Sequence, residues 1–100
     1  MANKYGNVPL HLAASLGFKE VVEFLLGNGA YPDKANIHGR TPLHEAVFGG
    51  HKDVVQLLLD EGADPQKTSG WGVNPLSIAQ TSGRMDIVQM MNEKITAQQK

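Results

Sequence analysis

Residues 39–46 read Gly-Arg-Thr-Pro-Leu-His-Glu-Ala and combine a turn with the start of a helix. Gly39 is typical of a tight turn. Thr41 is suited to cap a helix with its hydroxyl, and Pro42 suits the first helical position because its missing N–H is not needed there. Gly50 then ends the helical pattern. The segment therefore predicts a turn followed by a helix of about two turns.

The same pattern recurs along the chain with a period of 33 residues. Segment 3–35 is identical to segment 36–68 at 16 of 33 positions, and segment 69–100 matches 36–68 at 10 of 32. The recurring positions are Gly6, Gly39 and Gly72; Pro9, Pro42 and Pro75; Leu10, Leu43 and Leu76; Ala13, Ala46 and Ala79; and Gly17, Gly50 and Gly83. A fixed period of this length indicates a repeat protein whose third copy has diverged.

A second helix follows the glycine in each repeat. In the middle repeat its apolar stripe is Val54, Val55, Leu58 and Leu59, with Lys52, Asp53, Gln56 and Asp60 on the opposite side. Two such short helices cannot bury their stripes alone, so stacking of the copies is expected, and the small recurring alanines would allow close approach. A bundle of six independent helices is the alternative, but it would not require glycine and proline at fixed intervals.

These residues resemble the ankyrin repeat. Thr41-Pro42-Leu43-His44-Glu45-Ala46 is similar to the signature of that family, and Gly62-Ala63-Asp64 is similar to its exit sequence. The resemblance covers 3–35, 36–68 and 69–100, and it implies one domain over 1–100, an all-α solenoid. It also implies that the glycine tips form β-hairpin fingers. The fingers and the first helix of each repeat would line a concave surface that binds a protein partner.

The outer repeats depart from the pattern in different ways. Val8 stands where threonine is expected and cannot accept a capping hydrogen bond. The last repeat is polar at Asn92 and Glu93 and in the tail 96–100, as a terminal capping repeat should be. The first repeat carries the apolar residues of an interior repeat: Leu12, Leu16, Phe18, Phe24 and Leu26. We therefore expect either a fragment of a longer protein or an N-terminal face that pairs with another chain.

The composition excludes several classes of function. Nine basic and ten acidic residues give a formal charge of -1, which offers no basic footprint for nucleic acid or for a membrane surface. The absence of cysteine excludes disulfides and thiolate chemistry. The sequence shows neither a signal peptide nor an apolar run long enough to span a bilayer. An intracellular location, cytoplasmic or nuclear, is expected.

The sequence contains no recognisable catalytic, metal or cofactor site. His11 and His44 should lie about one helix spacing apart, ~10 Å, whereas zinc requires nitrogens at ~2.0–2.1 Å. We expect each to bond backbone of the adjoining finger instead, and His51 to lie at the surface or link helices. No serine lies in a Gly-x-Ser-x-Gly elbow, no phosphate loop is present, and the carboxylates are scattered. We do not expect an enzyme.

Residues typical of interface hot spots lie on the predicted tips and on one helix. The candidate partner-binding residues are Tyr5, His38, Arg40, Phe48 and Trp71. Two structural roles compete with this hypothesis: Trp71 packing along its own hairpin, and Phe48 folding against the neighbouring repeat. Met85, Met90 and Met91 suggest either a soft binding patch or core filling. The sequence favours a protein–protein interaction module; the alternative is a self-associating or structural segment of a longer array.

Overall fold

The computed structural model describes residues 4–98, in which six α-helices form and no β-strand occurs. The helices are α1 (Pro9–Leu16), α2 (Lys19–Gly27), α3 (Pro42–Gly49), α4 (Lys52–Asp60), α5 (Pro75–Thr81) and α6 (Met85–Gln98). The predicted repeat limits at Asn3 and Lys100, and the end of the polar tail, lie outside the described residues.

The helices stack in two rows. We call α1, α3 and α5 the front row and α2, α4 and α6 the back row, because α3 contacts α1 and α5 while α4 contacts α2 and α6. Each front helix also packs on the back helix that follows it in the chain. The contacts thus follow the order of the repeats, which confirms an all-α repeat array rather than a bundle of independent helices.

The three front helices begin alike, each with proline at its first position. The Thr41 hydroxyl accepts a hydrogen bond from the His44 N–H at 3.4 Å, and the Asn74 side chain accepts one from the Ser77 N–H at 2.7 Å. Val8 has no side-chain acceptor, as its identity requires. The predicted difference in capping between α1 and the other two helices is therefore confirmed.

Glycine is required where a front helix turns into a back helix. Gly17 and Gly50 adopt the left-handed conformation, with φ of 75° and 71°. A Cβ at Gly17 would collide with the imidazole ring of His51, so space as well as backbone conformation disfavours a side chain there. In the third pair α5 ends at Thr81 with Ser82 as its cap, and Gly83 follows with φ 71°.

The fingers are numbered one to three in chain order and are centred on Gly6, Gly39 and Gly72. They are narrow turns and not the β-hairpins that the resemblance implied. Two backbone hydrogen bonds close finger two: the Asn36 N–H donates to the Arg40 carbonyl, and the Gly39 N–H donates to the Asn36 carbonyl, both at 2.9 Å. Neighbouring fingers are joined through backbone, since the Ile37 N–H donates to the Tyr5 carbonyl and the Gly70 N–H to the His38 carbonyl. These few bonds fix the tips without forming a strand within residues 4–98.

The core runs along the array between the rows. Ala13, Ala46 and Ala79 are buried in the front row, which confirms the predicted close approach. The predicted stripe of Val54, Val55, Leu58 and Leu59 is completely buried in α4. Because the stripe contacts neighbours on both sides, the middle pair is the most enclosed part of the molecule.

Candidate functional site

Three histidine side chains form hydrogen bonds to the backbone of a neighbouring repeat. Nε2 of His11 lies 2.9 Å from the Arg40 carbonyl oxygen, and Nε2 of His44 lies 2.9 Å from the Val73 carbonyl oxygen. His51 connects in the opposite direction, with Nε2 3.0 Å from the Ser15 carbonyl oxygen. The expectation that His11 and His44 bond the adjoining finger is confirmed, and His51 is a linking residue. No group of three or more possible metal-ligating side chains occurs among the described residues.

His44 is held in one neutral form by its partners. Its Nδ1 accepts from the Thr41 N–H at 3.0 Å and lies 2.9 Å from the Thr41 hydroxyl, so the ring proton resides on Nε2 and is donated to Val73. Burial lowers the pKa of His44, the Val73 carbonyl opposes that shift, and the positive charges of Arg40 and Lys67 reinforce it. Burial is thus the main reason that His44 stays neutral between fingers two and three.

Two aromatic rings meet at the tips of these fingers. His38 and Trp71 stack with their centroids 5.0 Å apart and their planes at 26°. Trp71 remains 68% exposed, since only one face of the indole is covered. The stack holds a large apolar surface in a fixed position at the end of finger three.

A cation and a second aromatic ring lie beside this stack. Cζ of Arg40 is 4.3 Å from the centroid of Phe48, and Nη2 of Arg40 pairs with Oε1 of Glu45 at 2.6 Å. Nε of Arg40 is buried and makes no hydrogen bond with the described residues. Phe48 nevertheless keeps 53% of its surface exposed. The arginine thus holds the ring of Phe48 from one side and leaves the rest accessible.

A small cavity of about 100 Å³ is lined by both Phe48 and Trp71. Its lining is mainly apolar, and the lining residues are Arg40, His44, Phe48, Ser69, Trp71, Val73 and Ile78. Among the polar groups at its wall, both His44 nitrogens are bonded and the Ser69 hydroxyl accepts from the Trp71 N–H at 3.3 Å, whereas Nε of Arg40 has no hydrogen bond with the described residues. Because most of the lining is apolar, the cavity is suited chiefly to an apolar group.

Four of the five candidate residues come together. Arg40, Phe48 and Trp71 line the cavity, and His38 stacks on Trp71. Tyr5 lies one finger away, where its carbonyl bonds Ile37 and Lys4 lies over its ring, and it does not line the cavity. The two competing structural roles do not account for the exposure, because Trp71 stacks on the preceding finger and Phe48 stays half exposed.

The sequence hypothesis missed part of the lining. Ser69 and Ile78 were not singled out, nor was Glu45, which neutralises Arg40. Ile78 carried a signal, since it stands in repeat three where the middle repeat has Glu45. For the methionines, core filling holds for Met91, which is buried, and for Met90, which packs against the core, while Met85 is 60% exposed.

The first helix pair exposes many large apolar side chains. Leu12, Leu16, Phe18, Val21 and Phe24 are all about half exposed or more, whereas Leu26 packs against the core. No helix within residues 4–98 is both long and apolar enough to cross a bilayer. The exposed set is thus a feature of one end of the array.

The repeats match a known family. A family model described as ankyrin repeats, three copies, matches residues 1–69. A search of curated proteins gives no match. The model covers more than half of the chain, including both fingers and both helix pairs of the first two repeats.

Proposed function

The chain belongs to the ankyrin repeat family, and from that premise we propose that it is a protein-binding module whose site is the surface of the fingers and the front helices. Ankyrin repeats are in general protein–protein interaction modules. The proposed contact residues are Tyr5, His38, Arg40, Phe48 and Trp71.

One observation carries this proposal. Two large aromatic side chains and an arginine border a common cavity, although burying both rings would have stabilised the fold more. Such residues are those whose truncation most often weakens a protein interface. The surrounding histidine and backbone bonds hold the fingers in place before binding, which lowers the entropic cost of association.

Capture of partners from cell lysate tests the proposal. The bait is the intact chain, compared with a variant carrying Arg40→Ala, Phe48→Ala and Trp71→Ala, whose helicity is first confirmed by circular dichroism. Met85→Ala with Lys94→Ala provides a control on the back row. We expect partners that the intact chain and the control retain and that the triple variant loses. Equal capture by all three baits would refute the site.

Self-association is the second candidate function, and the exposed apolar side chains of the first helix pair support it. It predicts a mass that rises with concentration in sedimentation equilibrium. Leu12→Glu introduces the residue that the middle repeat carries at the equivalent position, and combined with Phe24→Gln it should abolish the rise. A monomeric mass at every concentration would exclude this candidate.

A further inference from the structure

The charge of the two sides of the array differs. The back row and its flanking turns, 19–27, 52–61 and 84–98, hold seven acidic and four basic residues. The fingers and front helices within the described part of the chain hold four basic residues, Lys4, Lys34, Arg40 and Lys67, and three acidic ones. The side that carries the cavity is therefore the more positive one.

The acidic groups on the cavity side are already engaged. Glu45 pairs with Arg40, the Asp33 carboxylate accepts from the Asp64 N–H at 3.1 Å, and the Asp64 carboxylate accepts from the Gln66 N–H at 2.9 Å. Lys67 is exposed, and no salt bridge within residues 4–98 involves it. Lys67 is also a minor cause of the lowered pKa of His44, which lines the cavity.

The cavity itself selects by size and polarity. At about 100 Å³ it has room for about one aliphatic side chain. Phe48, Trp71, Val73 and Ile78 supply apolar contact over most of the wall, which favours an aliphatic group over a polar one. Lys67 does not line the cavity, but it stands two residues before Ser69, which does.

We propose that the cavity receives one branched aliphatic side chain from an acidic segment of the partner protein, and that a neighbouring carboxylate of this segment pairs with Lys67. The inference rests on the proposed function and specifies the partner surface. The aliphatic group supplies most of the affinity through burial. The carboxylate supplies orientation and a salt-dependent association rate.

Selection from a library of short random peptides displayed on phage tests the chemistry directly, with the intact chain as target. We expect enriched sequences in which aspartate or glutamate lies close to leucine, isoleucine or valine. A library selected in parallel against the triple variant Arg40→Ala, Phe48→Ala and Trp71→Ala should not yield this pattern. Basic or purely aromatic sequences, or no enrichment over the triple variant, would overturn the inference.

Titration with the enriched peptide is followed by the fluorescence of Trp71, which is the sole tryptophan of the chain. Replacing the aliphatic residue of the peptide by serine should weaken binding about tenfold or more. Lys67→Glu should weaken it about fivefold, and the matched reversal Lys19→Glu on the back row should leave it unchanged. The affinity should also fall as salt is raised from ~0.1 M to ~1 M, where the Debye length shortens from ~10 Å to ~3 Å.

The titrations separate this inference from the function on which it rests. If partners captured from lysate are lost by the triple variant but bind Lys67→Glu as well as the intact chain, the protein-binding site stands and the acidic partner is wrong. If the triple variant also retains those partners, the site itself is wrong.

Discussion

The first two helix pairs, 9–27 and 42–60, are identical at 10 of 19 positions but lie in different environments. Val21 and Val54 occupy equivalent positions, yet Val21 is 45% exposed and Val54 is completely buried. Leu25 and Leu58 differ in the same direction. The difference arises because, within the back row of the described chain, α4 packs between α2 and α6, whereas α2 packs against α4 on one side. In a repeat array, the adjacent repeats therefore determine how much a given side chain contributes to the free energy of unfolding.

The largest effect we expect is at the equivalent leucines. Leu58→Ala should lower the free energy of unfolding by about 2–5 kcal/mol, because it leaves a cavity between the rows. Leu25→Ala should cost about 1 kcal/mol, since part of that side chain already contacts water. Urea unfolding of both variants measures the difference. Equal losses would show that the end pair is as enclosed as the middle one.

The inter-helix glycines extend the comparison to the other end. Gly17→Ala should cost about 2–3 kcal/mol, because it strains a left-handed residue and displaces the His51 ring from the Ser15 carbonyl. At Gly83 the conformation is the same but nothing lies within 4 Å of the added Cβ. Gly83→Ala should therefore cost only the backbone strain, about 1–2 kcal/mol. If the two melting temperatures drop equally, the contact with His51 is not stabilising.

The difference in capping between α1 and α3 should have a smaller effect on stability, and substitutions can exchange it between the two helices. Val8→Thr should raise stability by about 0.5–1 kcal/mol, because it supplies α1 with the acceptor that α3 has. The reciprocal change Thr41→Val should lower stability by at least as much. Thermal melts of the two variants give the comparison, and a neutral Val8→Thr would mean that burial of Val8 matters more than its missing cap.

The smallest effect we expect is in the dependence of stability on pH. The pKa of His44 is lowered in the folded state, chiefly by burial, so the unfolded chain binds a proton at a higher pH than the folded chain does. Stability should therefore be independent of His44 above its unfolded value near 6.5 and should fall as the pH drops below it. Denaturant midpoints of the native chain and His44→Gln across that range measure this contribution. An identical slope in the variant would rule His44 out as the source.

The fold could be predicted largely from the sequence, and the candidate site only in part. The glycine at the turn, the proline at each helix start and the apolar stripe of α4 are local signals, so helix positions and the ankyrin resemblance followed from them. The β-hairpin fingers were wrong in detail, because a few backbone bonds close the tips without making strands. Arg40, Phe48 and Trp71 were chosen by residue type, and their role in binding stays a prediction.

The sequence by itself determined the period, the helices and the caps, because each depends on residues within a few positions of one another. Only the tertiary structure decided that Arg40 lies over Phe48 while pairing with Glu45, that His38 stacks on Trp71, and that a cavity opens between them. These contacts join different repeats or depend on side-chain direction. Side-chain direction sets the contacts of Arg40 within its own repeat, and the stacking of repeats sets the His38–Trp71 contact and the cavity; neither is encoded in a single stretch of sequence.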